Sequence, residues 1–253
     1  MSLNNKIVWI TGAGTGIGLG GAQALAAASA TVVMSGRRAE VLDQEATALR
    51  AKGFKAEVAV LDVTDAAAVG KVAQDILNRH GQIDILVNSA GLNVAKRFWK
   101  NQSVAGWNEV IRINLDGTFY CCHAVLPAMR ARRDGLIINI SSWAGVYHSA
   151  ITGPAYNGSK FGVVALTESI NVEECINGVR ACVICPNEVA TPIMDRRPVP
   201  PTAEERGRMM QMEDLGEAIR FVAQMPAHVC VNQIIISPTW NRGYVPGAQA
   251  INA

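Results

Sequence analysis

Tyr156 and Lys160 stand four residues apart in "YNGSK", a spacing that puts both side chains on one face of a helix. A free phenol, with pKa ~10, exchanges protons poorly near neutrality, and a nearby ammonium favours the phenolate and lowers that value. The pair therefore suits acid–base chemistry at a hydroxyl or carbonyl oxygen. A second constellation is "TGAGTGIG" at 11–18, four glycines in eight positions directly after the apolar run Ile7, Val8, Trp9, Ile10. Each glycine weakens a strand or helix by ~0.5–1 kcal/mol relative to Ala. In return the backbone can approach a phosphate closely where a strand turns into a helix, whose first N–H groups and dipole favour an anion. The only strict G-x-G-x-x-G match, Gly16, Gly18 and Gly21, begins too late after the strand. What fits the strand end is Thr11-Gly12-x-x-x-Gly16-x-Gly18.

The elements that must hold these groups follow from the apolar pattern. Strand candidates are 6–10, 31–35, 56–63, 83–90, 136–142, 179–186 and 232–237. Most are continuously apolar, as expected of strands buried on both faces of a parallel sheet. Helix-like stretches lie between them at 17–29, 39–52, 66–80, 103–131 and 155–177. The alternation predicts an α/β fold, a doubly wound Rossmann-type parallel sheet of seven strands with helices on both faces. No linker or internal repeat divides the chain, so one domain over 1–253 is expected. A surface insertion is placed at about 190–212, around "RRPVPPTAEERGR", and a C-terminal tail at 239–253.

Composition narrows the function classes. The chain has 253 residues, 49% apolar and 17% charged, enough for a large core, and a formal net charge of +2, too weak a bias to argue for nucleic acid or a membrane surface. No charged-then-apolar leader opens the sequence and no uninterrupted apolar run reaches about 18 residues, so a cytoplasmic protein is expected. Cys182 and Cys185 lie three apart in a strand and so on opposite faces, which predicts structural thiols and no metal site.

Further motifs run in order along nearly the whole chain: "LDVT" with Asp62, "NSAG" at 88–91, "RINLDG" with Asn114, "INISS" closing the fifth strand, and "YNGSK". Together with the glycine turn they resemble the short-chain dehydrogenase/reductase family. The resemblance implies a nicotinamide-dependent oxidoreductase interconverting a ketone or aldehyde and an alcohol. It casts Tyr156 as the proton donor and acceptor, Ser142 as a hydrogen-bond partner of the substrate oxygen, Lys160 as the ligand of the nicotinamide ribose, and Asn114 as holder of a water linking Lys160 to solvent. The family's serine usually lies thirteen residues before the tyrosine, and Ser142 lies fourteen before Tyr156. Ser142 is chosen over Ser141 because the second serine of "SSWAG" aligns with the family pattern. The cofactor set implied is Gly12, Thr15, Gly16, Ile17, Gly18, Arg37, Asp62, Val63, Asn88, Ala90, Gly91, Tyr156, Lys160, Pro186, Asn187, Val189 and Thr191.

Cofactor choice rests on the end of the second strand. An acid there would bind the ribose 2′-hydroxyl of NAD, whereas an arginine accommodates the 2′-phosphate of NADP. The sequence reads Ser35-Gly36-Arg37-Arg38, which favours NADP(H) and leaves NAD(H) possible. The substrate pocket is assigned to Leu92, Asn93, Trp143, Tyr147, His148, Asn187, Val189, Ile193 and Met194. Two other classes stay open: a cofactor-sensing binding protein of this fold, and an S-adenosylmethionine-dependent methyltransferase, whose G-x-G-x-G would be Gly12, Gly14 and Gly16. The stretches 103–131 and 155–177 carry more apolar positions than one sheet-facing stripe needs. With the resemblance, this implies a homotetramer, or a dimer, in which a neighbouring subunit orders the tail.

Overall fold

In the computed structural model, which describes residues 2–251, the apolar runs form seven parallel strands of one sheet. These are β1 (Ile7–Thr11), β2 (Thr31–Gly36), β3 (Lys55–Val60), β4 (Ile85–Asn88), β5 (Gly135–Ile140), β6 (Val179–Pro186) and β7 (Gln233–Ile236), in the order β3-β2-β1-β4-β5-β6-β7. Residues 1, 252 and 253 of the expected domain and tail lie outside the described residues. Alternation along each strand sends its side chains into two cores. Val8, Ile10, Val32, Met34 and Val87 pack on one face, against α1 (Gly16–Ala27), α2 (Ala39–Ala51) and α8 (Met212–Ala223). Trp9, Val33, Leu86 and Ile137 pack on the other, against α3 (Ala66–His80) and α5 (Gly117–Arg132). Both faces are apolar because both are covered, which is why these strands do not alternate in sequence.

Three expected segments take a different form. Strand β3 stops at Val60, short of the expected 63, because the Asp62 carboxylate accepts from Thr64 N (3.0 Å) and Thr64 Oγ1 (2.9 Å) and folds the chain into a turn. The single helix expected over 103–131 is instead α4 (Val104–Ile111), a wider π-type turn at Arg112–Asp116, and α5. Such a turn breaks the usual ladder, and the Thr118 hydroxyl takes up the carbonyl of Asn114 at 2.9 Å. The segment 155–177 is α6 (Pro154–Glu174) followed by a tight turn at Cys175–Asn177. Pro154 occupies the first turn of α6, where its missing N–H costs nothing.

The expected surface insertion contributes a wall of the cleft rather than surface alone. A tight turn at Pro192–Arg196 lays Ile193, Met194 and Arg196 along the cleft, and α7 (Ala203–Gly207) starts at a capping box made by Thr202 and Glu205. The C-terminal stretch, which shows little helical or strand pattern in sequence, contains α9 (Val245–Ile251). Its Tyr244 ring packs edge-on against Trp143 of the same chain, centroids 5.9 Å apart. A neighbouring subunit is therefore not needed for that contact.

All strands run the same way, so their C-terminal ends share one edge. Thr11 of β1 pairs in register with Ser35 and Asn88, Asn88 with Asn139, and Ile140 with Ile184. Chain order reverses between β1 and β4, and the loops leaving those two strands part to form a crevice.

Candidate active site

A cleft of about 430 Å³ opens over that edge. Its floor is the turn after β1. Gly12 and Gly16 hold φ of +66° and +59°, a left-handed backbone that a side chain rarely tolerates. A Cβ on Gly12 would lie 2.7 Å from Ala90 N, so the turns after β1 and β4 touch through this glycine. Thr15 precedes α1 without a capping hydrogen bond from its side chain, and no acid sits in the first turn. The start of α1 thus keeps free N–H groups and its positive dipole end for an anion. Gly18 is absent from the cleft wall. A Cβ there would come 2.4 Å from Gly12 O, so this glycine lets the helix seat against the turn.

The cleft wall includes Gly12, Thr15, Gly16, Ile17, Arg37, Asp62, Val63, Ala90, Gly91, Pro186, Asn187, Val189 and Thr191 of the expected cofactor set. Ser89, Leu61 and Arg38 join them. Asn88 does not. It is buried beneath the wall, where its amide donates to Asn139 Oδ1 (2.9 Å) and Cys122 Sγ (3.3 Å), because the last residue of β4 points its side chain into the sheet face. Arg37 and Arg38 are exposed at the mouth, and among the described residues neither forms an ion pair.

Ser142, Tyr156 and Lys160 line the same cleft. The two serines ending β5 are separated by direction. Ser141 is buried and donates to the carbonyl of Lys160 at 2.8 Å, tying α6 to the sheet. Ser142 accepts from Ala144 N (3.1 Å) and hydrogen-bonds with Tyr156. Burial raises the Tyr156 phenol above its ordinary value of 10.0, while Ser142, Arg97 and Arg197 draw it back. Lys160 is not among the groups that act on it. The Lys160 ammonium lies 5.7 Å from the Tyr156 ring centre and donates instead to Ile140 O at 2.9 Å. Burial pushes Lys160 down to about 8.

Asn114 is buried and off the cleft wall. Its Oδ1 accepts from Leu92 N (2.9 Å), and its Nδ2 donates to Leu92 O (3.0 Å) and Ser159 Oγ (3.1 Å). It clamps the loop after β4 to α6. Of the expected substrate residues, Leu92, Asn187, Val189, Ile193 and Met194 line the cleft. Asn93 does not: it is buried and donates to Thr152 O at 2.9 Å. Trp143, Tyr147 and His148 also lie off the wall. Trp143 stacks on Tyr147 at 4.6 Å, and His148 Nδ1 lies 3.4 Å from Asn157 Nδ2. They follow Ser142 directly in the chain, but Trp143 and Tyr147 pack on each other rather than on the cleft wall. The sequence reading missed Arg196, which lines the cleft in the turn at Pro192–Arg196, and Arg97 and Arg197, which act on the Tyr156 phenol without lining it.

Of the six cysteines, Cys121, Cys122, Cys182 and Cys185 are buried and Cys175 and Cys230 are exposed; none is in a disulfide. Burial raises the thiols of Cys122 and Cys182 to about 12, which leaves them inert. No helix among the described residues is long and apolar enough to cross a membrane.

Comparison with known proteins agrees with this geometry. A crystal structure of a metagenomic short-chain oxidoreductase in complex with NADP superimposes with a TM-score of 0.82 at 28% identity, covering 94% of this chain and 99% of that one. An alcohol dehydrogenase from the archaeon Thermococcus sibiricus, complexed with 5-hydroxy-NADP, gives 0.84 at 26% identity, covering 94% and 98%. An uncharacterized oxidoreductase of Staphylococcus saprophyticus is 33% identical over 239 residues, 94% of this chain and 99% of that relative. The profile of the short chain dehydrogenase family matches residues 6–199, and the chain belongs to that family of oxidoreductases.

Proposed function

We propose that the protein is an NADP(H)-preferring oxidoreductase that interconverts a carbonyl compound and an alcohol, with Tyr156 as general acid and base. The observation that carries this reading is that Ser142, Tyr156 and Lys160 line the same cleft as a glycine turn with an uncapped helix start. The dinucleotide fits this cleft. Its pyrophosphate would rest on the N–H groups of α1, a cradle that a Cβ on Gly12 or Gly16 would strain. Asp62 would meet the adenine, and Lys160 the nicotinamide ribose.

When bound, the reduced nicotinamide supplies the hydride that converts a carbonyl carbon to that of an alcohol. The chain's part is the proton. Ser142 holds the substrate oxygen against Tyr156 Oη, and Tyr156 gives up its proton as the alcohol forms. Because the phenol is held above its ordinary value, it stays protonated near neutrality, which favours reduction. Alcohol oxidation needs the phenolate and accelerates as pH rises.

The preference for NADP(H) rests on Arg37 and Arg38, two cations at the cleft mouth with no ion-pair partner among the described residues and no acid at the end of β2. Substituting both by Ala is expected to weaken NADPH binding by ~2–3 kcal/mol, the scale of charge-assisted contacts, and NADH binding far less. Calorimetric titration of both dinucleotides checks this. Equal losses for the two would show that the arginines do not read the phosphate.

The same reading includes a homotetramer, with one domain spanning the chain. The support is apolar surface with nothing to cover it. Val104, Trp107, Phe119, Phe161 and Val172 are exposed on α4, α5 and α6, and the edge strand β7 leaves Ile235 exposed. Pairing through α5 and α6, then through β7, would bury both groups under two-fold symmetry. Sedimentation at micromolar concentration is expected to show a tetramer, and a purely monomeric species would contradict it.

A further inference from the structure

The loops after β5 and β6 both contribute to the cleft wall, the first through Ser142 and the second through Asn187 and Val189. The C-terminal segment touches both loops without itself lining the cleft. Arg242 sets its Nε 3.4 Å from Glu188 Oε2 and its Nη2 3.3 Å from Glu205 Oε1. Glu188 is the residue between Asn187 and Val189, and Glu205 belongs to α7. Two residues beyond Arg242, the Tyr244 ring packs edge-on against Trp143, centroids 5.9 Å apart. Trp143 directly follows Ser142.

The segment that carries these two side chains is itself moored. Asn241 is 2% exposed; its Oδ1 accepts from Gly243 N (2.9 Å) and its carbonyl from Tyr244 N (2.8 Å), a turn that fixes how Arg242 and Tyr244 leave the chain. Trp240 lies under the Arg208 guanidinium at 4.9 Å. Glu188 does not need Arg242 for neutralisation, because Arg197 already meets it at 2.7 Å. Arg197 belongs to the same loop, however, and that pair only draws the loop onto itself. Backbone bonds hold the loop at its root, Asn187 N to Ile236 O (2.9 Å) and Ala190 N to Met210 O (2.8 Å), and neither reaches the loop after β5. What Arg242 adds is a link to a segment that also holds Trp143.

Resting on the oxidoreductase reading above, we infer that Arg242 and Tyr244 are positioning residues: the segment 240–244 is a brace that joins the loop after β6 to the loop after β5 and so fixes Ser142 relative to Asn187 and Val189. Transfer of a hydride and a proton to one substrate demands a spacing between those loops held to about half an ångström. The brace supplies that spacing from behind the wall, without touching the substrate. The Arg242 side chain is 47% exposed, so salt screens its ion pairs and loosens the brace.

Amide hydrogen exchange of the wild type, Arg242→Met and Tyr244→Leu tests this without a substrate. Both side chains are largely exposed, so the variants fold. Each substitution is expected to speed exchange about threefold or more, the scale of an exposed contact, in peptides covering 143–149 and 187–197 alike, including the loop that its own side chain does not touch. Exchange changed only within 239–251, or only in the loop directly contacted, would overturn the inference. Kinetics supply a second reading, with diacetyl and saturating NADPH. From about 0.05 M to about 1 M NaCl the wild-type kcat/KM is expected to fall toward that of Arg242→Met, which itself changes little, while Arg242→Lys keeps part of the response. The same salt response in the wild type and Arg242→Met would count against the brace. Failure of the broader reading is separate: full turnover by Tyr156→Phe would refute the proton-transfer role, yet the coupled exchange of the two loops would persist.

Discussion

Tyr156→Phe is expected to lower kcat for carbonyl reduction by about 10²–10⁴-fold, the usual range for loss of a positioned proton donor. The ring stays in place and only Oη is removed, so dinucleotide affinity and thermal stability stay near those of the wild type. Steady-state kinetics with NADPH and any reducible carbonyl, beside a titration of NADPH, provide the check. Retention of wild-type turnover would remove Tyr156 from the mechanism. The variant has a second signature. Alcohol oxidation by the wild type is expected to rise with pH as the phenol, held above its ordinary value, ionises, and the residual rate of Tyr156→Phe to lose that dependence.

Lys160→Met is expected to abolish useful turnover and yet stabilise the ligand-free protein at pH 7. The ammonium is buried and its pKa falls from 10.5 to about 8, with burial as the cause. Between those values the unfolded chain binds more proton than the folded one, so stability rises with pH across that window. Below pH 8 the folded protein carries the whole penalty, roughly 3 kcal/mol. Methionine removes the charge and keeps much of the volume, but it leaves Ile140 O without the donor that Lys160 Nζ provides at 2.9 Å. That loss offsets about 1 kcal/mol, for a net gain near 2 kcal/mol. Chemical denaturation of both proteins at pH 7 and above pH 10.5 should show the gain at the first and its disappearance at the second. NADPH binding should weaken in the variant, because Lys160 would no longer reach the ribose. A variant less stable than the wild type at pH 7 would mean that the folded protein solvates this ammonium better than its burial suggests.

The strands and the sheet were legible in the sequence because burial on both faces leaves a local mark. Val8, Trp9 and Ile10 are apolar in succession, and the structure sends Trp9 into one core and Val8 and Ile10 into the other. The glycine turn was legible for a similar reason, since Gly12 and Gly16 are demanded by their own backbone angles. Tyr156 and Lys160 shared a face because helical periodicity is set over a single turn. Interactions that depend on distant segments could not be read in this way. The two serines of "INISS" are adjacent in sequence, and only the packing of α6 on β5 turns Ser141 to the Lys160 carbonyl and Ser142 to the phenol. Asn88 and Asn114 matched family positions, and the structure adds that their amides reach Asn139 and Leu92, contacts across 51 and 22 residues of chain. Arg97 and Arg197 carry no periodic signal at all, and only folding lets their charges act on the Tyr156 phenol. What the sequence determined by itself was whatever a few neighbouring residues impose on one another: periodicity, turn geometry and the types of reactive side chain. The tertiary structure decided charge, direction and enclosure, because each depends on groups that the chain brings together from far apart.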